Sequence, residues 1–206
     1  MILPKAWTKE RKREYYYRKA KEEEYRSRAA YKLLQAAEKY RFIKPGYVVV
    51  DLGAAPGGWL QVSQELVGEK GFVLGVDLKQ IPSFDLPNVY TIVGDITESQ
   101  TVSAIREVLP SPADVVLSDV SPNISGIWEL DHARQIDLAR KSLQIALSTL
   151  KPRGNFFVKV FQGDMLNDFF KEVKQHFVFV KLIKPKASRA KSSELYILAL
   201  DFFKKS

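Results

Sequence analysis

Short apolar runs alternate with helical stretches over most of this 206-residue chain, and this alternation constrains the fold more than any other feature. Seven runs have the length and the β-branched or aromatic content of strands: 47–52, 72–76, 89–93, 115–117, 155–161, 177–183 and 195–202. Helical patterns separate most of them, at 59–67, 101–108, 131–150 and 164–176. This order predicts an α/β fold: a mostly parallel seven-stranded sheet with helices on both faces. Only a basic loop joins the last two runs, so we expect an antiparallel last strand.

The N-terminal part of the chain lies outside that alternation. Helix-forming residues extend over 9–40, where Ser27 could interrupt or recap the helix and a Lys-Pro-Gly sequence at 44–46 ends it. The chain length suits one domain with a sizeable core. We therefore expect a basic helical extension at 1–28 followed by a single α/β domain at 29–206.

A glycine-rich turn, DLGAAPGGW at 51–59, follows the first predicted strand. In α/β sheets, ligands bind at the carboxyl ends of the strands. Gly53, Gly57 and Gly58 permit positive φ and a close approach of ligand to backbone, and the next helix presents free N–H groups. The turn matches neither a dinucleotide fingerprint nor a P-loop. Trp59 packs either at this loop or in the core.

Two further carboxylates fall where later strands end. Asp77 follows the second run and Asp95 follows the third. A carboxylate at the second position can bind a ribose diol, and one at the third can take an adenine amino group. Either residue alone is more often a turn or cap residue, but their shared placement favours a nucleoside site.

The composition excludes several classes of protein. The chain has no cysteine, which rules out a disulfide scaffold, a Cys-ligated metal site and thiol chemistry. It has two histidines, His132 and His176, which we expect near helix ends, His132 in a cap region or at the surface. No metal site is expected. No apolar run approaches the length of about 20 residues that a membrane span needs, and no signal peptide is evident, so we expect a cytoplasmic protein.

Positive charge is concentrated at the two ends of the chain. The formal charge is +8; residues 1–28 carry ten Lys/Arg against five Asp/Glu, and residues 181–206 carry seven against two. The middle, 29–180, is slightly acidic, with fifteen Lys/Arg and seventeen Asp/Glu. This distribution indicates a localised contact with a polyanion rather than uniform solubilising charge.

Two basic segments are the candidate RNA contacts. Residues 9–28 interleave cations with Tyr15, Tyr16, Tyr17 and Tyr25, which suits stacking on bases; the alternative is a charged helix whose tyrosines pack on the body. Residues 181–191 hold five Lys/Arg and no acid. The candidate RNA-binding residues are Arg11, Lys12, Arg13, Arg18, Arg28, Lys184, Lys186 and Arg189.

Three segments together resemble the FtsJ/RrmJ family of RNA ribose 2′-O-methyltransferases. They are SRAAYKL at 27–33, DLGAAPGGW at 51–59 and LSDVSPN at 117–123. The resemblance covers about 25–203 and implies a class I, Rossmann-like methyltransferase domain at 29–206 with S-adenosylmethionine as its cofactor. The residues that it implies for cofactor binding are Gly53, Gly57, Gly58, Trp59, Asp77, Asp95 and Asp119.

The same resemblance implies a catalytic Lys-Asp-Lys-Glu tetrad. Its members correspond to Lys32 in SRAAYKL, Asp119 in LSDVSPN, Lys159 in FFVKVFQG and Glu194 in SSELY. Taken singly, Lys32 is typical of a solvated helix face and Glu194 of a strand-edge charge. A lysine inside an apolar run is harder to dismiss, because burying its charge without a partner is unfavourable.

Lys159 is the candidate general base, activating a ribose hydroxyl that Asp119 orients near the methyl end of the cofactor. Lys32 and Glu194 complete the charge network. A lysine accepts a proton only in its neutral form, which burial and a second cation favour and a carboxylate opposes. An ammonium that steers the hydroxyl oxygen therefore stays open as the alternative. Ser121 lacks the partners of a nucleophilic triad.

Within the family, the short chain resembles enzymes that methylate a uridine ribose in large-subunit ribosomal RNA. Relatives that act on transfer RNA anticodon loops share the tetrad, so both substrates stay open. Two other classes are a non-catalytic RNA-binding ribosome-assembly factor and a small-molecule methyltransferase, and the latter predicts no salt-dependent RNA affinity. We expect RNA as the partner, no membrane contact and a monomer.

Overall fold

The structure, a computed structural model, describes residues 15–189 and 192–204. Residues 15–22 are helical. The elements that follow are α1 (Ala30–Tyr40), β1 (Val48–Leu52), α2 (Gly58–Val67), β2 (Phe72–Asp77), β3 (Val89–Val93), α3 (Ser99–Val108), β4 (Ala113–Ser118), α4 (Trp128–Thr149), β5 (Leu150–Phe161), α5 (Leu166–Lys174), β6 (Phe177–Ile183) and β7 (Glu194–Phe202).

The strands form one seven-stranded sheet in the order β3-β2-β1-β4-β5-β7-β6. Strands β1 to β5 pair in parallel, and β7 runs antiparallel to both of its neighbours, β5 and β6. The prediction of a mostly parallel sheet with an antiparallel last strand and helices on both faces is confirmed. Because the first five strands share a direction, their carboxyl ends lie along one edge of the sheet.

The two faces of the sheet carry separate apolar cores. Helices α1 and α2 cover one face, which we call the α1/α2 face, and α3, α4 and α5 cover the other. Side chains alternate between faces along each strand, so Asp51 shares the α1/α2 face with Val49, and Lys159 shares it with Phe157. Tyr196 lies on that face opposite Lys159 in the β5–β7 register.

Several element boundaries differ from the predicted ones, and two boundaries have a clear local cause. Strand β5 begins at Leu150 rather than at 155. Its first residues are irregular, with Arg153 at φ 66°, and the sequence 151–154 is typical of a turn, so the pattern did not indicate a strand there. Helix α1 ends at Tyr40, before the Lys-Pro-Gly sequence, because Arg41 adopts φ 52° and its N–H closes the last turn on the Ala37 carbonyl.

The N-terminal helical segment packs on the domain. The rings of Tyr16 and Tyr25 contact the ring of Tyr31 in α1 at 5.3 and 5.5 Å between centroids. Tyr15 and Tyr17 stay about half exposed, at 52% and 53%. Packing on the body, the alternative considered for these tyrosines, therefore applies to two of the four. The boundary at residue 28 between the extension and the catalytic domain stays a prediction.

Candidate active site

The loop after β1 leaves no room for side chains. Gly53 and Gly57 have φ of 77° and 111°. A Cβ on Gly53 would lie 2.8 Å from Val120 Cγ1, and one on Gly57 would lie 2.8 Å from Phe84 Cζ. Gly58 begins α2 and packs against Ser27. The loop therefore requires glycine at these positions and presents its backbone at the carboxyl edge of the sheet.

Backbone N–H groups donate hydrogen bonds to two of the three acidic residues beside this loop. Asp77 accepts hydrogen bonds from the Ala55 and Lys79 N–H groups at 2.9 and 2.8 Å. Asp95 accepts from the N–H and the hydroxyl of Thr97, both at 2.8 Å, and these bonds hold the pKa of its carboxyl below the usual range. Both carboxylates thus act locally as turn residues, and each has lone pairs left for a ligand.

Asp51, the third acidic residue, is fully buried on the α1/α2 face, and neither of its carboxyl oxygens has a hydrogen-bond partner among the described residues. Burial, reinforced by the charges of Asp119 and Asp77, raises the pKa of this carboxyl well above its usual range. A ligand amine or hydroxyl beside Asp51 would satisfy it. Sequence reasoning missed this residue, although a charged side chain in a β-branched run was a signal for it.

Lys159 is the centre of a compact polar cluster. Its side chain is only 6% exposed. The amine donates to the Asp119 carbonyl oxygen at 2.7 Å and to the Ser121 hydroxyl, and it lies 3.3 Å from Asp119 Oδ1. Three acceptor oxygens therefore surround this one amine.

The second charge pair of the tetrad lies beside the first. Lys32 Nζ is 2.8 Å from both carboxylate oxygens of Glu194, and the Ser188 hydroxyl donates to Glu194 Oε1 at 2.8 Å. The side chains of Lys32 and Glu194 are 12% and 15% exposed, so the pair is largely removed from water. The solvated positions considered for each residue alone do not describe them.

Tyr196 joins the two pairs. Its hydroxyl donates to Asp119 Oδ1 at 2.9 Å, and its ring centroid lies 5.8 Å from Lys32 Nζ. Burial and the carboxylates of Asp119 and Glu194 raise the pKa of Tyr196 well above its usual range, so the phenol stays a neutral donor. The structure thus brings the four tetrad residues together. Sequence reasoning missed Tyr196, yet its position two residues after Glu194 puts it on the same face of the strand.

Other predicted residues lie in the core. Trp59 is 3% exposed, its indole N–H donates to the Ala29 carbonyl at 2.8 Å, and its ring stacks on Phe157. These contacts favour the core role for its ring. His132 was expected in a cap region or at the surface; it is instead the fifth residue of α4 and is 5% exposed, because α4 begins at Trp128.

The candidate RNA-binding residues fall into two groups. Arg11, Lys12 and Arg13 lie outside the described residues. Arg18 is exposed on the N-terminal helical segment, Arg28 is half-buried in the turn before α1, and Lys184, Lys186 and Arg189 are exposed in the loop between β6 and β7. Lys184 and Lys186 line an open groove of about 750 Å³.

That groove, which we call the basic groove, lies between the second half of α1 and the end of β6. Its cations are Lys39, Lys181, Lys184 and Lys186, and Glu38 is its one acid. The Lys39 and Lys181 amines lie 5.4 and 5.8 Å from the centroid of the Tyr40 ring. The groove combines an aromatic face with cations, as single-stranded nucleic acid sites do.

Within the described residues, no helix is long and apolar enough to cross a membrane. The same residues contain no group of three His, Asp or Glu side chains that could hold a metal ion. Neither finding bears on the residues outside the described ranges.

Comparisons with known proteins agree with this geometry. A family model described as FtsJ-like methyltransferase matches residues 25–202. "Ribosomal RNA large subunit methyltransferase E" of Methanocaldococcus jannaschii is 52% identical, over 95% of this chain and 81% of that protein. The protein of the same name from Methanothrix thermoacetophila is 55% identical, over 90% of this chain and 71% of that protein.

Solved structures of other proteins share this fold. A Plasmodium falciparum chain, assigned as a ribosomal RNA methyltransferase, superposes with a TM-score of 0.78 at 29% identity, over 88% of this chain and all of that chain. A Streptococcus mutans chain in complex with SAH, over 82% of this chain and 97% of that chain, shares the fold alone, with a TM-score of 0.53 at 14% identity. The resemblance and the class I fold are confirmed. The chain belongs to the FtsJ-like methyltransferase family, a family of S-adenosylmethionine-dependent enzymes.

Proposed function

We propose that this chain transfers a methyl group from S-adenosylmethionine to the 2′-hydroxyl of a uridine ribose in large-subunit ribosomal RNA. The observation that carries the proposal is the tetrad: Lys159, buried and paired with Asp119, is joined through Tyr196 to the Lys32–Glu194 pair. The name of the relatives in Methanocaldococcus and Methanothrix supports the choice of ribosomal RNA.

The glycine loop and the acids beside it fit the cofactor. The backbone at Gly53, Gly57 and Gly58 allows a close approach, and the unpartnered Asp51 carboxyl suits an amine, whose positive charge would stabilise the carboxylate. Asp77, Asp95 and Asp119 supply further acceptors, and Trp59 supports the loop from the core. S-adenosylmethionine, when bound, supplies a methyl group on a positively charged sulfur.

Lys159 is the residue that we assign to the ribose hydroxyl. Its amine lies where β5 approaches the end of β4, and its neutral form would accept the hydroxyl proton while the oxygen takes the methyl group. Asp119 orients Lys159 and the hydroxyl. Tyr196 holds Asp119 by donating to Oδ1, and Lys32 pairs with Glu194 so that the Glu194 carboxylate is compensated.

The basic groove supports an RNA substrate. Four lysines against one glutamate attract phosphates, and Tyr40 offers an aromatic face. Residues 29–206 are, in this proposal, the catalytic domain, and residues 1–28 are an extension that contacts RNA through Arg18, Arg28 and the cations that precede them. A monomer in the cytoplasm, where ribosomal RNA is available, completes the proposal.

The experiment is methyl incorporation from labelled S-adenosylmethionine into ribosomal subunits, free ribosomal RNA and transfer RNA, side by side. We expect label in large-subunit ribosomal RNA, free or assembled, and incorporation that falls steeply with salt. Label in transfer RNA alone would contradict the substrate assignment. Absence of S-adenosylmethionine binding in calorimetry would contradict catalysis itself and would favour an assembly factor.

A further inference from the structure

An exposed apolar patch follows Asp119 in the chain, and the proposed function does not account for it. The patch consists of Ile124, Ile127, Trp128 and Leu130, which are 65%, 59%, 44% and 38% exposed. They lie on the loop that follows Asp119 and on the first turn of α4. Four exposed large apolar side chains within seven residues favour a binding site over scattered surface residues.

Trp128 belongs to a row of aromatic rings. Its ring lies 5.9 Å from the His132 ring at an interplanar angle of 19°, and 6.1 Å from the Phe161 ring at 24°. Both angles are close to parallel, as in offset stacking. Although it has two ring neighbours, Trp128 keeps 44% of its surface exposed. It therefore presents a supported aromatic surface to whatever binds beside it.

Phe161 connects the row of rings to the strand that carries Lys159. It follows Lys159 by two residues at the end of β5, about 7 Å along the strand, and its ring packs against Trp128 of α4. It is also opposite Glu194 in the β5–β7 register. A ligand whose ribose contacts Lys159 would thus have its neighbouring groups beside Phe161 and Trp128.

The patch is held in place by polar contacts from α4. Asp131 accepts hydrogen bonds from the Ser125 N–H and hydroxyl at 2.8 Å and from the Gly126 N–H at 3.1 Å. Gln135 donates to the carbonyls of Val120 and Lys159 at 3.2 and 3.1 Å. The loop and the strand end are tied to one helix, so the surface is preorganised for binding.

His132 is fixed in the same way. Its Nε2 accepts a hydrogen bond from the Met165 N–H at 3.1 Å, and a Cβ on Gly163 would lie 2.6 Å from its ring. Burial lowers the pKa of His132, so the ring beside Trp128 is neutral at physiological pH. The row of rings therefore offers stacking surface without a cation of its own.

We propose that Trp128, supported by Phe161, stacks on a nucleobase next to the target ribose and so positions the RNA strand. This inference rests on the proposed RNA substrate, and it adds Trp128 as a residue that positions that RNA. A flat, apolar and uncharged occupant matches the rings, while the phosphates of the same strand match the basic groove. Bases of any identity stack on an aromatic ring, so the contact positions the strand without reading its sequence.

The experiment compares Trp128→Ala, Trp128→Phe and Tyr90→Ala with the wild type on a ribosomal RNA fragment that the wild type methylates. Tyr90 is the matched control: it is 48% exposed, stacks on Phe72 at 4.9 Å, and lies on β3 at the far edge of the sheet. The readouts are the KM for RNA, kcat and the Kd for S-adenosylmethionine, with thermal unfolding as a check on folding.

We expect Trp128→Ala to raise the KM for RNA about tenfold, as loss of a base-stacking ring does, with kcat and cofactor Kd unchanged. Trp128→Phe should keep most of the affinity, and Tyr90→Ala should match the wild type. An abasic nucleotide beside the target should raise the KM of the wild type and leave that of Trp128→Ala unchanged, because the stacking partner is already gone.

Wild-type KM in Trp128→Ala, or an abasic effect that is as large in Trp128→Ala as in the wild type, would overturn the inference while leaving the proposed function intact. Such a result would favour a protein partner for the patch. Absence of any RNA methylation by the wild type would overturn the proposed function, and this inference with it. The two failures are therefore distinguishable from the wild-type control alone.

Discussion

Two regions of the site, both along the sheet edge where the parallel strands end, are formed by different parts of the chain: one by backbone, the other by side chains. At the ends of β1 and β2, backbone conformation makes the site: Gly53 has no space for a side chain, and Asp77 accepts two backbone N–H groups. At the ends of β4 and β5 and at the start of β7, paired side chains make the site: Asp119 contacts both Lys159 and Tyr196. We call these the backbone half and the side-chain half.

The difference determines what each half tolerates. The backbone half is sensitive to added volume and holds the one acid, Asp51, that has no partner among the described residues in the site. The side-chain half is sensitive to the loss of a charge or a hydroxyl, because each of its groups is matched by another. Substitutions in the two halves should therefore separate cofactor binding from methyl transfer.

Lys159→Ala should have the largest effect. Removal of the amine should lower turnover about 10²–10⁴-fold, the usual contribution of a proton-transfer residue, with the Kd for S-adenosylmethionine unchanged. Lys151→Ala is the matched control, since Lys151 is on the same strand, pairs with Asp114 and lies at the opposite end. Turnover is measured in single-turnover assays. A near-normal rate in Lys159→Ala would contradict the assignment of methyl transfer to the side-chain half.

Gly53→Ala should weaken both the stability of the protein and cofactor binding by the backbone half. The new Cβ meets Val120 and the residue must hold a left-handed φ, so we expect a loss of about 2–4 kcal/mol of unfolding free energy and weaker cofactor binding. Gly46→Ala, just before β1, has the same strain at φ 80° but open space around its Cβ. It should lose only about 1–2 kcal/mol and bind cofactor normally, in chemical denaturation and calorimetry. Equal losses in both variants would contradict the role of the close approach.

Tyr196→Phe should weaken the side-chain half without dismantling it. Loss of one hydrogen bond to a charged group is worth about 1.5 kcal/mol, or about tenfold in kcat. The apolar ring contacts with Trp59 and Phe157 stay, so thermal unfolding should change little. A kcat equal to that of the wild type would show that Asp119 needs no support from Tyr196.

Asp51→Asn and Asp95→Asn should have small effects of opposite sign on stability. The pKa of Asp51 is raised in the folded protein, so the wild type loses stability as pH rises above about 3.8, and Asp51→Asn should gain relative to it. The pKa of Asp95 is lowered, so its contribution is present above that pH and is lost on acidification. Asp95→Asn should therefore be less stable than the wild type at pH 7. Unfolding free energies between about pH 2 and pH 7, without cofactor, check both signs, since the Asp95 contribution is lost only below about pH 3.8.

The same two halves explain how far sequence reasoning reached. The glycines of the backbone half lie in one nine-residue segment, so local pattern was enough to locate Gly53 and Gly57. The side-chain half draws on residues 32, 119, 159 and 194, and only the family resemblance grouped them before the structure. The seven strands followed from apolar runs and their spacing, with some bounds a few residues off, whereas the order of the strands in the sheet came from the structure.

What sequence reasoning missed depends on tertiary contacts. Tyr196 looks like any aromatic residue of an apolar strand until the fold places its hydroxyl beside Asp119. His132 was expected in a cap region or at the surface, since nothing local indicated that α4 begins at Trp128 and buries it. Gln135 was missed because its two carbonyl partners come from other elements.

Identification of the methylated product tests the central claim most directly. Ribosomal RNA methylated with labelled S-adenosylmethionine is digested to nucleosides and separated, with Lys159→Ala as the paired control. The account predicts that the label is in 2′-O-methyluridine from the large-subunit RNA and is nearly absent with the variant. Label in a methylated base, or equal label from Lys159→Ala, would contradict it.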